Sequence, residues 1–330
     1  MNPKVSVIVP NYNHSNYLRQ RLDTVFNQTF RDFEVILLDD CSTDNSKEIL
    51  LEYANKPQVS HCIFNEVNTG NTFKQWEKGI SLSQGEFIWI AESDDFCELN
   101  FLEVLLKPLI NDNKVVLSYC QSNKVNEDGI VTGDWIKHTY DLNSKLFLND
   151  FIMNGNDFIE QFLIVRNVIP NASAVVFKKN VVDITKHLTI DPSFRYCGDW
   201  MFYFKILINN KNAFISKSLN YFRYHDNSVI SKAKKYKERV TIIDLDFIMR
   251  KNLLYYLKRK KVSNFKKITS KNKSIYRELK YEKSRIYIKN NKKIKGFVIL
   301  ITVLDLFVKN YNFSKNLKIK FLRLFKLKAK

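Results

Sequence analysis

The sequence predicts an α/β fold, a doubly wound and mostly parallel sheet followed by a basic, mainly helical C-terminal extension. Three observations lead there. Strand-like runs recur (Val5–Val9, Phe33–Leu38, the weaker His61–Phe64, Phe87–Ala91 and Val115–Tyr119), the first a short continuous apolar run as expected of a strand covered on both faces. Segments with apolar residues at helical spacing lie between them, the alternation that parallel crossovers require. Charge then divides the chain. Ser231 to Lys330 holds 31 Lys+Arg against 6 Asp+Glu, whereas Met1 to Ile230 holds 22 against 28. The boundary is placed there, giving an α/β domain over 1–230 and a basic helical extension over 231–330.

Taken in order, Val5–Val9 opens the sheet, and no apolar leader precedes it, so no signal peptide is expected. Leu18, Leu22, Val25 and Phe26 follow at helical spacing. Phe33–Leu38 is the second strand, and Ser46–Tyr53 a helix behind the cap-like stretch CSTDN. His61–Phe64 is a weaker strand, Thr72–Leu82 a helix ended by Gly85, and Phe87–Ala91 the fourth strand. A helix over Leu99–Ile110 leads to Val115–Tyr119. Between Gln121 and Ile169 the alternation stops. Ala174–Phe177 then reads as a strand, Trp200–Ile208 as a helix, and Leu219–Tyr224 as a further extended segment.

Composition excludes several classes. The chain has 330 residues, 45% hydrophobic and 26% charged, too apolar for a disordered chain and long enough for a large core. None of its eight glycines has the G-x-G-x-x-G or Walker spacing, so glycine cradles for dinucleotides or triphosphates are absent. Five cysteines without a C-x-x-C argue against a zinc ribbon or a disulfide framework, and for a reducing, cytoplasmic compartment. The longest apolar run, Phe297 to Val308, is interrupted by Thr302 and Asp305 and falls short of the roughly 18–20 residues of a spanning helix.

In open parallel sheets the ligand crevice lies beyond the carboxyl ends of the strands. Three polar clusters fall there: Pro10-Asn11-Tyr12-Asn13, Asp39-Asp40-Cys41-Ser42-Thr43-Asp44, and Glu92-Ser93-Asp94-Asp95. Acids and Asn after a strand also serve as caps and turn formers. Two acidic pairs at one sheet edge ask for more than that. Clustered carboxylates need compensating charge, and a hard divalent cation such as Mg²⁺ or Mn²⁺ takes oxygen ligands and bridges to diphosphate oxygens.

The segments VSVIVPNYN, QTFRDFEVILLDDCSTDNS, NTGNTFKQWEKGI, GEFIWIAESDD and YCGDW occur in this order. Together they resemble glycosyltransferase family 2, an inverting group with the GT-A fold, over roughly residues 3–230. The resemblance implies a nucleotide-diphosphate-sugar donor, most often a UDP-sugar, a saccharide or lipid-linked acceptor, and Mn²⁺ or Mg²⁺ as cofactor. It implies residue roles as well. Pro10, Tyr12 and Asn13 line the nucleotide pocket, with Tyr12 stacking on the base, and Asp40 hydrogen-bonds the base. Glu92-Ser93-Asp94 stands in the place of a D-x-D motif. Asp94 is there the metal-binding acid, and Glu92, where the first Asp is usual, the ribose contact. Asp95 supports the loop or touches acceptor. Lys74 matches a basic position near the sugar diphosphate, and His225, in YFRYHDNS, completes the metal shell. Asn171 and Ser173 resemble an acceptor-side segment. Asp199, in Cys197-Gly198-Asp199-Trp200, is the catalytic base that deprotonates the acceptor hydroxyl. An Asp at the start of a helix is also a good cap.

The basic extension supports three readings. It carries no recognisable nucleic-acid module, which argues against the main alternative, a nucleic-acid-binding protein using this region. A solvated arm is the second. Attachment to an anionic membrane surface is preferred. Lys295, Thr302, Asp305 and Lys309 form one polar stripe on an otherwise apolar helix, and Leu317, Phe321, Leu324 and Phe325 recur at helical spacing among basic residues. The expected location is peripheral, on the inner face of the cell membrane.

Overall fold

The computed structural model describes residues 2–188, 194, 196–225 and 236–310. In chain order the first half contains β1 (Val5–Asn11), α1 (Ser15–Phe26), β2 (Phe33–Asp39), α2 (Ser46–Ala54), β3 (Val59–Phe64), α3 (Thr72–Leu82), β4 (Phe87–Ile90), β5 (Phe96–Cys97), α4 (Phe101–Asn111) and β6 (Val115–Val125). Shorter pieces follow: β7 (Val131–Asp134), α5 (Ile136–Tyr140), β8 (Phe151–Asn154), α6 (Gly155–Phe158), a π-helical turn over Ile159–Leu163, β9 (Val175–Lys178) and α7 (Ile184–His187). Next come α8 (Gly198–Leu207) and β10 (Lys211–Arg223), then the helices α9 (Tyr236–Arg259), α10 (Phe265–Lys289), α11 (Lys293–Ile301) and α12 (Leu304–Asn310).

The sheet runs β3-β2-β1-β4-β9-β6-β10-β5, with β7 beside β6 and β8 beside β10. β1 pairs in parallel with both β2 and β4, so the chain reverses its direction of winding at β1 and opens a crevice at the carboxyl ends of those strands. Four strands depart from the parallel arrangement: β9 lies antiparallel between β4 and β6, and the short strands β5, β7 and β8 pair antiparallel with β10, β6 and β10, so the sheet is mixed.

Strand periodicity sorts the core into two layers. Val5, Val7 and Val9 face α1, α2 and α4, packing with Leu18, Leu22, Leu50, Leu102 and Leu105. Ile8, Ile36, Ile88 and Ile90 face the other side, against Phe73, Trp76 and Ile80 of α3 and Phe202 of α8. Both faces are therefore covered, which is why these strands read as largely apolar runs, interrupted by Ser6 and Glu34, which hydrogen-bond each other at 2.6 Å.

The charge boundary near residue 230 lies outside the described residues. Beyond it, Met249, Leu253 and Leu257 recur every four residues along α9 and pack into the same core as Trp76 and Phe202. Arg250, 1% exposed, donates to the carbonyls of Ile164 and Val165 and lies 5.4 Å from the Trp200 ring. The start of the extension is thus built into the α/β body.

The expected single helix through Lys295, Thr302, Asp305 and Lys309 is interrupted. The Thr302 hydroxyl donates to the Ile299 carbonyl at 2.7 Å and the Val303 amide to that of Leu300 at 3.0 Å, closing a tight turn that separates α11 from α12. Leu300 and Val303 are buried there, and Asp305 pairs with Arg277 of α10. The stripe of Leu317, Phe321, Leu324 and Phe325 lies outside the described residues.

Candidate active site

The first wall of the crevice is a net of short polar side chains. Asn11, buried at the end of β1, donates to Asp39 Oδ2 at 2.7 Å, and Asp39 accepts from the Ser42 amide and hydroxyl at 2.8 and 2.6 Å. Asn13 adopts a left-handed conformation (φ 55°), which Asn tolerates, and its Oδ1 accepts from the Thr43 amide at 2.7 Å. Pro10 is buried in the strand, whereas Tyr12 projects, 44% exposed, between these tethered neighbours.

Asp40 is buried and holds the loop leading into α3. Its Oδ1 accepts from Asn65 at 2.7 Å and Gln75 at 2.8 Å, its Oδ2 from the Thr69 hydroxyl at 2.8 Å, and the Thr69 amide lies 3.1 Å from both oxygens. Four protein donors thus fill the roughly four lone-pair sites of the carboxylate. Lys74 stands exposed on α3, while Lys78, one turn on, donates to Asn65 Oδ1 at 2.8 Å.

The loop after β4 sends its carboxylates in three directions. Glu92 turns to α3, where Trp76 Nε1 donates to it at 2.9 Å. Asp95 points into the protein and accepts from Asn171 Nδ2 at 2.6 Å and from the Arg223 amide at 3.0 Å. Asp94 Oδ2 lies 3.2 Å from His225 Nε2. Two buried guanidiniums fix the loop's backbone: Arg21 Nε donates to the Glu92 carbonyl at 2.9 Å and Arg223 Nε to that of Asp94 at 2.7 Å. The Ser173 hydroxyl accepts from the Glu92 amide at 3.1 Å. Asp95, Asn171 and Ser173, expected on the acceptor side, are thus all joined to the loop's supports.

Burial raises the Glu92 carboxyl to about 8, with the Asp94 charge adding to it, and burial with the same charge raises Asp95 to about 7. Burial would raise Asp94 too, but His14 and His225 outweigh it and hold Asp94 down to about 2.

His14 was not among the residues singled out by sequence. Ligand atoms of His14, Asp94 and His225 all lie within 4.8 Å of one another. Metal bonds to N and O run about 2.0–2.2 Å, so small side-chain adjustments would bring these three donors around one ion. The Ser93 hydroxyl, 2.8 Å from His14 Nδ1, orients that ring as outer partners of metal ligands do. The donor set fits a divalent cation. Two imidazoles with one carboxylate suit Mn²⁺ better than Mg²⁺, which prefers oxygen alone.

Asp199 lies in the first turn of α8. Its Oδ1 accepts from the Trp200 amide at 2.7 Å and its Oδ2 from Asn167 Nδ2 at 3.1 Å. Burial raises its carboxyl to about 6. Trp76, which holds Glu92, also packs edge-on to Phe202 at 6.0 Å, and the Tyr203 phenol is pushed up first by burial and then by the charges of Asp199 and Glu92. The α8 carboxylate and the acid loop therefore share one electrostatic environment. Asn167 was also missed, since nothing local marks it. Arg21 did leave a signal, because it occupies the apolar face of α1 with Leu18, Leu22 and Val25.

An acid loop at the switch point of a doubly wound sheet fits a GT-A-type fold. Residues 6–164 match Glycosyl transferase family 2. It is 28% identical over 244 residues to the glycosyltransferase GlyG of Streptococcus pneumoniae, covering 70% of this chain and 74% of GlyG. It is 30% identical over 127 residues to the putative teichuronic acid biosynthesis glycosyltransferase TuaG of Bacillus subtilis, 38% of this chain and 50% of TuaG. In fold it resembles residues 1–349 of S. aureus TarS in complex with UDP-GlcNAc (TM-score 0.56, 19% identity, covering 86% of this chain and 81% of that one).

Proposed function

We propose that this chain is a metal-dependent glycosyltransferase that moves a sugar, with inversion, from a nucleotide-diphosphate donor to a saccharide or lipid-linked hydroxyl in cell-surface polysaccharide assembly. A UDP-sugar is the favoured donor; TarS is a fold neighbour in complex with UDP-GlcNAc, and TuaG is named for teichuronic acid biosynthesis. The reading rests on the His14–Asp94–His225 cluster, together with the separate carboxylate of Asp199, whose charge acts on Tyr203 along with that of Glu92.

Tyr12, the exposed ring of the first wall, stacks on the base between Pro10 and Asn13, and Asp40 takes a base N–H in exchange for one of its Thr69 donors. Glu92, turned toward α3, borders the ribose. His14, Asp94 and His225 hold the cation, Mn²⁺ or Mg²⁺, which when bound supplies positive charge to the leaving diphosphate. Lys74 adds a solvent-side charge to the same end of the donor. Asp199 accepts the acceptor's hydroxyl proton as that oxygen attacks the anomeric carbon opposite the departing nucleotide. The Trp200 amide and Asn167 fix its two oxygens, and a pKa near 6 leaves it ionised yet basic at neutral pH. Asp95, Asn171 and Ser173 keep the acid loop in place on the acceptor side. No described helix is long and apolar enough to cross a membrane, and the basic extension holds the enzyme at the anionic inner face.

A donor screen that follows release of free nucleotide diphosphate, with and without Mn²⁺, tests the reading. Metal-dependent release from one UDP-sugar in the presence of a saccharide acceptor supports it. Stabilisation by oligonucleotides, with no response to any nucleotide sugar, refutes it.

A further inference from the structure

The last described helices leave a large apolar face in water. On α11, Ile294, Phe297, Val298 and Ile301 are 82%, 53%, 61% and 71% exposed, and Leu304 and Val308 of α12 are half exposed. At 100° per residue the four on α11 share one side of the helix, while Gly296 and Leu300 fall on the opposite side and are buried.

The helix is held firmly in that orientation. A Cβ on Gly296 would sit 2.5 Å from the Ile288 side chain and 2.8 Å from the Ser284 carbonyl, so α11 touches α10 backbone to backbone. Asn291 makes the reversal between them in a left-handed conformation, φ 60°. Neither helix could roll to hide the apolar side without breaking this contact.

Charge along this stretch is predominantly positive. From Ile286 to Asn310 the chain carries Lys289, Lys292, Lys293, Lys295 and Lys309, and its one acid, Asp305, is paired with Arg277. An apolar side bordered by lysines is what an interfacial helix on anionic lipid presents. A bare protein–protein face would be expected to carry fewer lysines.

We propose that the Ile294–Phe297–Val298–Ile301 face of α11, continued by Leu304 and Val308, inserts into the headgroup layer of an anionic bilayer, with Lys293, Lys295 and Lys309 on lipid phosphates. This deepens the membrane part of the proposed function and assigns it to the described helices rather than to the residues after 310. It does not depend on the identity of the sugar donor.

The test uses the full chain and the double variant Phe297→Glu/Ile301→Glu, whose changes lie on exposed positions and leave the α10 contact intact. Both are sedimented with vesicles of phosphatidylcholine alone and with 30% phosphatidylglycerol, and circular dichroism checks the fold. The wild type should bind the anionic vesicles, release in high salt, and lose at least tenfold in partitioning in the variant. Metal-dependent UDP release should stay unchanged, which separates this proposal from the donor reading. Equal vesicle binding by variant and wild type overturns it, as does a wild type indifferent to anionic lipid. A wild-type dimer that the variant converts to monomer, with vesicle binding unaffected, assigns the face to a second copy instead.

Discussion

Asp199→Asn separates two properties of one carboxylate. Its carboxyl is raised to about 6 from an ordinary 3.8, burial being the main cause. The folded protein therefore binds this proton more tightly than the unfolded chain. Below pH 3.8 both states are protonated and nothing is lost. Between 3.8 and 6 a stability cost accrues, and above 6 it is complete, at most about 3 kcal/mol for a shift of roughly two units. Partial solvent contact lowers that ceiling. Asn keeps the shape and can still accept from the Trp200 amide, but it turns an amide nitrogen toward Asn167 and so forfeits about 1 kcal/mol of hydrogen bonding. The net expectation is a variant about 1–2 kcal/mol more stable than wild type at pH 8 and no more stable at pH 4. Transfer should fall by about 10²–10⁴-fold, as for loss of a general base, while nucleotide binding persists. Urea unfolding at the two pH values and a UDP-release assay read both quantities. An equal gain at both pH values would remove the buried charge from the explanation, and wild-type turnover would remove Asp199 from the chemistry.

Three further outcomes are expected. The acid limb of the wild-type kcat profile should fall as pH drops through about 6, the value for Asp199; a profile flat down to pH 5 would contradict that assignment. Asp94→Ala should abolish Mn²⁺-dependent stabilisation by UDP in a thermal-shift assay while leaving the apo melting temperature within a few degrees, and retained metal dependence would count against the cluster. Gly155→Ala should destabilise by more than about 2 kcal/mol in denaturant, because its Cβ would lie 1.9 Å from the Leu207 carbonyl and backbone must move; an unchanged midpoint would show that the turn is free to shift.

The parts of the fold that could be read from sequence are those whose signal is local. β1, β2 and β4 are buried on both faces, so each appears as an apolar run, and α3 shows its inward side through Phe73, Trp76 and Ile80. The direction of β9 has no local signature, because Val175–Lys178 would look the same pairing either way with β4. The small elements between β6 and β9 were illegible for a similar reason. β8 exists by pairing with β10, some sixty residues on, and α6 is seated by the Gly155 amide donating to the Asn210 carbonyl at 2.7 Å. In the site, Asp94, Asp199 and His225 stood in recognisable segments. His14 lay one residue beyond the cluster that drew attention, and Asn167 matters only because the chain after the π-helical turn brings it to Asp199.

The acid loop also sets an order of events during folding. Its Glu92 amide is held by Ser173, 81 residues later, and its Asp94 carbonyl by Arg223, 129 residues later. Contacts of that separation close late, since loop-closure entropy must be overcome before they form. A nascent chain that has emitted β1 to β6 already contains the strands that display the acids, with Arg21 and Trp76 to hold Glu92, but it lacks the groups that fix Asp94 and Asp95. Metal affinity should arrive only once β10 has docked, so the ion can be gripped by the finished protein and not by the growing one.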